Sequence, residues 1–594
     1  MWIFVFLRSL IFVLPHLMRT LYLVLIVIYS FQTAFAQDLK TPFELSNGLE
    51  TATYEQGIAF YEKLDAQYEE IKLFKYGNTD VGKPLHLAVF SAEKDFSPES
   101  LKLKGKSIFL VINAIHAGEP DGVDASMMLL RDIVQQEKLK KICKNTVFVI
   151  IPFYSVGGVL NRNSYSRANQ NGPKSYGFRG NGKNYDLNRD FIKMDSENAK
   201  TFIEIFHTWK PDIQVDNHVT NGADYQYVMT NILANPALYA PEMADYFKKE
   251  FRPDLLNKMK KKNFEMSPYV EMKGTTPDSG LVQNVRSPRF SHTYATQFNT
   301  IAMVAETHML KPFKQRTEAT YQLMLSLLEI LEKDGVKIQK NRKKSFEYFQ
   351  KQKSYVVDWK IDDKKFEMID FKGYMAERIP SKVTGQTRLF YNKTKPYTKK
   401  IPYYNVHEPK NTLEKPKMYI IPKMYGNIVK MLEMNGVVVT SLDKKETFNG
   451  AYYFIKDYKT GSKPFEGHYL HTDVTVEKRK AEYTLQEGDW VVMTNQPHIN
   501  FIMNVLEPQA PDSYFCWNHF DIILQQKEYY SDYVFEDIAE KLLSENADLK
   551  KRFEEKKRQD PEFAKNAKAQ LDFIYYNSPY YEPNHLRYPI FRVE

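Results

Sequence analysis

The chain has 594 residues, too many for one hydrophobic core, so two or three domains are expected. Its 43% hydrophobic, 26% charged and 14% aromatic residues form an ordinary globular balance that excludes a disordered chain. The net charge of +9 is spread along the sequence, and its one local run (Lys258, Lys260, Lys261 and Lys262) has no nucleic-acid-binding motif beside it, so no nucleic-acid partner is expected.

Residues 1–36 read as an export signal. Arg19 precedes an apolar run from Leu21 to Tyr29, and Ala34, Phe35 and Ala36 form a small-x-small cleavage pattern before Gln37. Arg8, Pro15 and His16 interrupt the stretch before Met18, which makes Met18 a second candidate start. An uncleaved membrane anchor is the alternative. Cleavage leaves an exported protein, periplasmic or secreted, with no stable membrane span. Only Cys143 and Cys516 are present, which excludes a disulfide framework and leaves at most one long-range bridge.

An amphipathic helix is predicted from Thr53, followed by an extended stretch ending in PLHLAVFSA. The apolar runs SIFLVINAI, TVFVIIPFY, DIQVDNHV, DYQYVMT and NTIAMVAETHM read as strands. Helical patterns lie between several of them, at Asp121–Gln136, Ser196–Trp209 and Pro236–Lys262. This alternation predicts an α/β fold with a mixed, mostly parallel sheet sandwiched by helices. From Asn161 to Tyr185 the chain is rich in glycine and asparagine and has no apolar period, which predicts a long surface loop. A helix from Phe313 to Leu331 closes a catalytic domain at 37–340, with KDGVKIQKNRKKS as a linker. An accessory region at 346–594 follows: β-rich to about Asn405, then α/β, then a charged helical tail from about Phe535.

The chemistry begins at IFLVINAIHAGEPDGVDASMMLL, where a strand ends in His116 and Glu119 before a helix starts. His218 ends the strand DIQVD, and Glu306 ends a late one. Ligands gather at the carboxyl ends of strands in such sheets. Two histidines and one carboxylate leave a coordination position open for water, the arrangement of catalytic rather than structural zinc. Between the ligand segments stands NYDLNRDF, with Asp186, Asn188 and Arg189.

His-x-x-Glu, a loop arginine, Asp-x-Asn-Arg, a histidine and a late-strand glutamate occur in that order across roughly residues 50–335. This order resembles the carboxypeptidase A family of zinc peptidases. The resemblance implies a carboxypeptidase-like catalytic domain in which His116, Glu119 and His218 hold one zinc ion and Glu306 is the general base and acid. It further implies that Asn188 and Arg189 grip a substrate's terminal carboxylate and that Asp186 accepts from the first zinc histidine. Physical chemistry fits these roles: zinc lowers the pKa of its bound water, a carboxylate takes the proton, and a guanidinium fork matches a carboxylate in two bonds. Three arginines, Arg162, Arg167 and Arg179, share the long loop; the resemblance implies Arg167 as the oxyanion stabiliser, since its distance before Asn188 is close to the family's, with Arg179 as the runner-up. Tyr294 is the one candidate for the family's substrate-capping tyrosine. The segment that sets side-chain preference, within Gly274–Asn299, does not align.

His308, two residues beyond Glu306, reads as a packing or hydrogen-bonding partner, and Asp190, Asp216 and His207 read as structural. The leading expectation is an exported zinc metallocarboxypeptidase that acts on peptide or protein C-termini. A zinc amidase on N-acyl amino acids or cell-wall peptides, and an inactive peptide-binding protein, remain as alternatives.

Overall fold

The computed structural model describes residues 39–441 and 445–594. The expected export signal, residues 1–36, lies outside them. Among the described residues no helix is long and apolar enough to cross a membrane. The chain divides into two compact units: one runs to Phe349 and takes in Trp359–Pro409, and the other comprises Gln350–Asp358 and Lys410–Glu594.

The first unit is built on an eight-stranded sheet. In chain order its strands are β1 (Ile71–Asn78), β2 (Pro84–Phe90), β3 (Ser107–Ile112), β4 (Thr146–Ile151), β5 (Ile213–Thr220), β6 (Met229–Leu233) and β7 (Met266–Pro268); after a short strand outside this sheet, β8 (Leu281–Val282), comes β9 (Ile301–His308). The spatial order is β1-β2-β4-β3-β5-β9-β6-β7. The four middle strands run parallel, and antiparallel pairs flank them at β2/β4 and β6/β9. Parallel strands covered on both faces read as unbroken apolar runs, and SIFLVI and TVFVII are buried at every position. On β5 the same full burial falls on Asp216, Asn217 and His218. Buried polar side chains are costly unless paired, so their presence here marks a site.

The covering helices include α1 (Tyr54–Gln67), α2 (Asp121–Gln135), α3 (Glu197–Trp209), α4 (Ser291–Thr296) and α5 (Phe313–Lys351). The segment expected as a linker after Leu331 instead continues α5. Its apolar stripe does not stop there: Leu331, Ile338, Asn341, Arg342 and Ser345 are buried along one side. Gly335 is tolerated inside the helix because the backbone passes so close to β3 that a Cβ would lie 2.2 Å from Ser107 Oγ.

The boundary expected near residue 346 also moves. The hairpin of Glu367–Pro380 with Thr387–Tyr404 pairs through Tyr403 with Leu281 of β8, and Phe371, Ile401 and Tyr403 share a cluster with Tyr225 and Tyr227. Its partner is more than a hundred residues earlier, so the hairpin belongs to the first unit.

The second unit carries a six-stranded antiparallel sheet in the order Thr440–Ser441, Trp490–Met493, Met418–Ile421, Phe591–Val593, Thr447–Thr460, His471–Thr484. The charged tail forms helices Asp532–Glu545, Ala547–Gln559, Pro561–Lys565 and Ala567–Tyr576 around their own small core. The chain then returns to place Phe591–Val593 inside the sheet, where the buried Arg592 pairs with Glu507.

One buried acid on α2 makes stability depend on pH. Asp124 is fully buried and accepts from Thr51 Oγ1 and, at 3.3 Å, from the Ala52 amide. Burial pushes its carboxyl from 3.8 up to about 7. The folded chain therefore holds a proton that the unfolded chain has already released, so stability is highest below about pH 4 for this group and falls as pH rises toward 7. The interval corresponds to about 4 kcal/mol. Asp124→Asn should gain thermal stability over the parent as pH rises from 4 to 7. A constant difference in melting temperature across that interval would contradict the assignment.

Candidate active site

The site is built where β3 ends. Ala114 leaves the strand at φ +56°, a conformation uncommon for a residue with a Cβ, and the turn that follows is closed by the Glu119 amide donating to the His116 carbonyl at 2.9 Å. Local backbone strain of this kind clusters at functional sites. The long loop lies directly against the turn: a Cβ on Gly118 would stand 2.5 Å from Arg167 Cδ and 2.9 Å from the Gly177 carbonyl. Only glycine permits that approach.

His116, Glu119 and His218 meet, with one ligand atom from each lying within 4.8 Å of the others. The two Nδ1 atoms are 3.1 Å apart, and both face the Glu119 carboxylate, at 3.2 Å from His116 and 3.0 Å from His218. Each ring turns its Nε2 outward to a carboxylate: His116 to Asp186 at 2.9 Å and His218 to Asp216 at 2.6 Å. A carboxylate behind each imidazole fixes the ring and raises its basicity as a ligand. Two inward nitrogens and one carboxylate suit a divalent zinc ion, so the residues present fit the cation that the sequence implies.

Charge is concentrated here. Against the penalty of complete burial, Arg167 and His116 hold Glu119 well below the usual carboxylate range. Burial likewise opposes ionisation of Asp186, but His116 and the arginines Arg189 and Arg179 hold it low. Burial disfavours protonated His218, yet Asp216 and Glu119 raise its pKa well above the ordinary histidine value. A cation bound there displaces that proton.

Glu306 stands opposite His218 in the β5/β9 register, and Val304 opposite Asp216. Glu306 and Val304 both line a cavity of about 230 Å³ with the three metal-site residues. Burial pushes the Glu306 carboxyl up to about 8, and the neighbouring Glu119 and Asp216 add to the rise while His218 opposes it. Asn188 and Arg189 line the same cavity. Asn188 is fixed by accepting from the Ser291 amide at 3.0 Å, and Arg189 lies over the Phe290 ring at 4.4 Å.

The loop arginines sort differently from their spacing. Arg167 does not line the cavity; it donates to Gln170 Oε1 at 2.6 Å and pairs with Glu119 at 2.9 Å. Arg179 lines it, held by Asp186 at 2.8 Å. Arg162 fastens the loop by donating to the Ser175 carbonyl at 2.8 Å. Tyr294 is not brought to the site: it is fully buried on α4 among Phe191, Phe206 and Phe298, with its hydroxyl 3.1 Å from His207 Nε2. His308 pairs with Asp224 at 2.9 Å and stacks on Tyr225, away from the metal group. Asp190 closes its own turn by accepting from Lys193 at 2.7 Å and from the Ser196 amide at 3.0 Å.

Asp216 is the residue that sequence reasoning passed over as structural. The signal was available: Asp-x-His on a strand puts both side chains on one face. Ser291 Oγ donates to the same Asp216 oxygen at 2.6 Å and steadies it. Asp216→Asn should weaken zinc binding by about 10- to 100-fold with an unchanged circular dichroism spectrum. Chelator competition that returns the parent affinity would exclude the role.

Residues 58–221 match the family model described as zinc carboxypeptidase. The segment contains both histidines, Glu119 and the Asp-x-Asn-Arg run; Glu306 lies beyond it. The chain is 22% identical over 476 residues to Carboxypeptidase 2 of Trichophyton tonsurans, covering 76% of this chain and 79% of the relative. It is 20% identical over 469 residues to Carboxypeptidase 2 of Trichophyton rubrum, with the same shares covered. Among solved structures, a metallo-carboxypeptidase from Burkholderia cenocepacia aligns with a TM-score of 0.35 at 15% identity, covering 48% of this chain and 70% of that one. The family model falls on the very segment that carries the metal-site residues, which marks residues 58–221 as a zinc carboxypeptidase segment and the chain as a metallopeptidase.

Proposed function

We propose that the chain removes the last residue from peptides with a free C-terminus, using one zinc ion held by His116, Glu119 and His218. The observation that carries this reading is the shared cavity: the three donors, Glu306, Arg179, Asn188 and Arg189 all face one space of about 230 Å³. When bound, zinc supplies Lewis-acid polarisation of a carbonyl and acidification of a water.

The chain's own groups do the rest. Arg189, stacked on Phe290, offers a planar fork to the terminal carboxylate, and Asn188 offers an amide beside it. That anchor sets the scissile bond in front of Glu306. Glu306 takes a proton from the attacking water and returns it to the departing amine, which a carboxyl can do from a position within hydrogen-bond reach. Arg179, steered by Asp186, donates to the oxygen on which negative charge develops. The reading includes export, with residues 1–36 removed.

The test is a matched set of peptides with free, amidated and D-residue C-termini. Zinc-loaded protein is expected to shorten only the free L-peptide by one residue, to lose that activity in chelator and to regain it with zinc. Activity that survives chelation, or equal cleavage of the amidated peptide, would contradict the proposal; a preference for D-residue peptides would favour a cell-wall amidase.

A further inference from the structure

Part of the cavity wall has no role in this chemistry. Beyond the metal-site residues, Glu306, Arg179, Asn188, Arg189 and the Phe290 ring beneath it, it includes Asn221, Ile232, Tyr269, Arg286 and His292. Arg286 is the one charged side chain among them. His292 is buried, and burial together with the Arg286 charge lowers its imidazole to about 3, so it stands there neutral. The carboxylates facing the cavity are Glu119 and Glu306, both already engaged.

Arg286 is held in place. Its Nη2 donates to Glu271 Oε2 at 2.6 Å, and Glu271 lies outside the site cavity, lining a smaller one of about 20 Å³ that shares Ile232, Tyr269 and Arg286. Glu271 therefore steers the guanidinium from behind, while the planar group has five N–H donors to share. Arg286 keeps 34% of its side-chain surface exposed. A leaving residue anchored by Arg189 must direct its side chain into the remaining wall. A basic side chain there would face a cavity that already holds Arg179, Arg189 and Arg286, and an apolar one would offer nothing to the guanidinium's remaining N–H donors. A carboxylate would complete it.

We propose that Arg286, oriented by Glu271, sets a preference for a C-terminal residue with an acidic side chain, glutamate or aspartate. This inference rests on the carboxypeptidase reading. Its test uses zinc-loaded full chain and four peptides that differ only in ending in Glu, Gln, Leu or Lys. Because Gln matches Glu in shape without its charge, kcat/KM for the Glu peptide should exceed that for the Gln peptide by about tenfold or more. Arg286→Leu should bring that ratio close to one, and Arg286→Glu should turn the preference toward Lys. Should the Leu variant fail to fold, Arg286→Gln gives the same comparison. Calorimetry on Glu306→Gln, which separates binding from turnover, should show the same Glu-over-Gln order in affinity.

Equal rates on the Glu and Gln peptides, or a ratio that persists without Arg286, would overturn this inference alone. Failure of the zinc-loaded parent to shorten any of the four would remove the carboxypeptidase reading, and this inference with it.

Discussion

Glu306→Gln should retain its zinc and lose turnover by about 10²- to 10⁴-fold, with KM little changed. The substitution preserves size and shape in the cavity wall, so the register with β5 survives. What disappears is the ability to hold and return a proton. Glu306 is not one of the three converging donors, which is why metal content should not follow activity. Burial drives its carboxyl up to about 8. A dication held by His116, Glu119 and His218 would favour the ionised form of this neighbouring carboxyl. Metal analysis beside steady-state kinetics checks both halves, and a variant keeping more than about a tenth of kcat would remove Glu306 from the proton path.

The second large effect is on stability. Arg316, on α5, has a fully buried side chain, as does its partner Asp121 on α2. It donates to Asp121 at 3.1 and 3.3 Å and to the carbonyls of Asn171 (2.9 Å), Gly172 (2.8 Å), Met309 (3.2 Å) and Lys311 (2.9 Å). Asp121 also accepts from Thr307 on β9. One guanidinium thus ties the helix after the His116–Glu119 turn to the long arginine-bearing loop and to the exit of the strand that carries Glu306. Arg316→Leu strips a buried carboxylate of its counter-charge and several carbonyls of this donor, and should destabilise the first unit by about 3–5 kcal/mol. Adding Asp121→Leu to that variant should recover part of the loss, because the stranded charge is then gone. Denaturant unfolding of the two variants measures this, and a single variant within about 1 kcal/mol of the parent would show that the clamp carries little energy.

What could be read from the sequence follows a physical line. Central strands buried on both faces betray themselves as apolar runs, and His116, Glu119, His218 and Glu306 stand out because each is a polar interruption at the end of such a run. Their convergence needs only the sheet order. The loop arginines could not be ranked that way, because a segment without periodicity gives no face, and their sorting depends on Gln170, Glu119 and Asp186 as partners. Tyr294 misled because a tyrosine in a short helix looks the same whether its ring meets substrate or a cluster of phenylalanines. Gly335 and the lysines after it resembled a linker, although the helix continues through a glycine chosen for close approach to β3. The hairpin after Trp359 was separated from its unit because its strand partner is two residues long and distant in the chain. Arg286 lies in a stretch with no period at all, and only the cavity brings it beside Arg189.

The claim on which all of this depends is that two imidazole Nδ1 atoms and one carboxylate hold a single zinc ion. Anomalous diffraction at the zinc edge from crystals of the zinc-loaded protein tests it directly. One dominant peak is expected, bounded by His116, Glu119 and His218, with Asp186 and Asp216 still behind the two rings. A dominant peak elsewhere, or no peak between those three side chains, would contradict it.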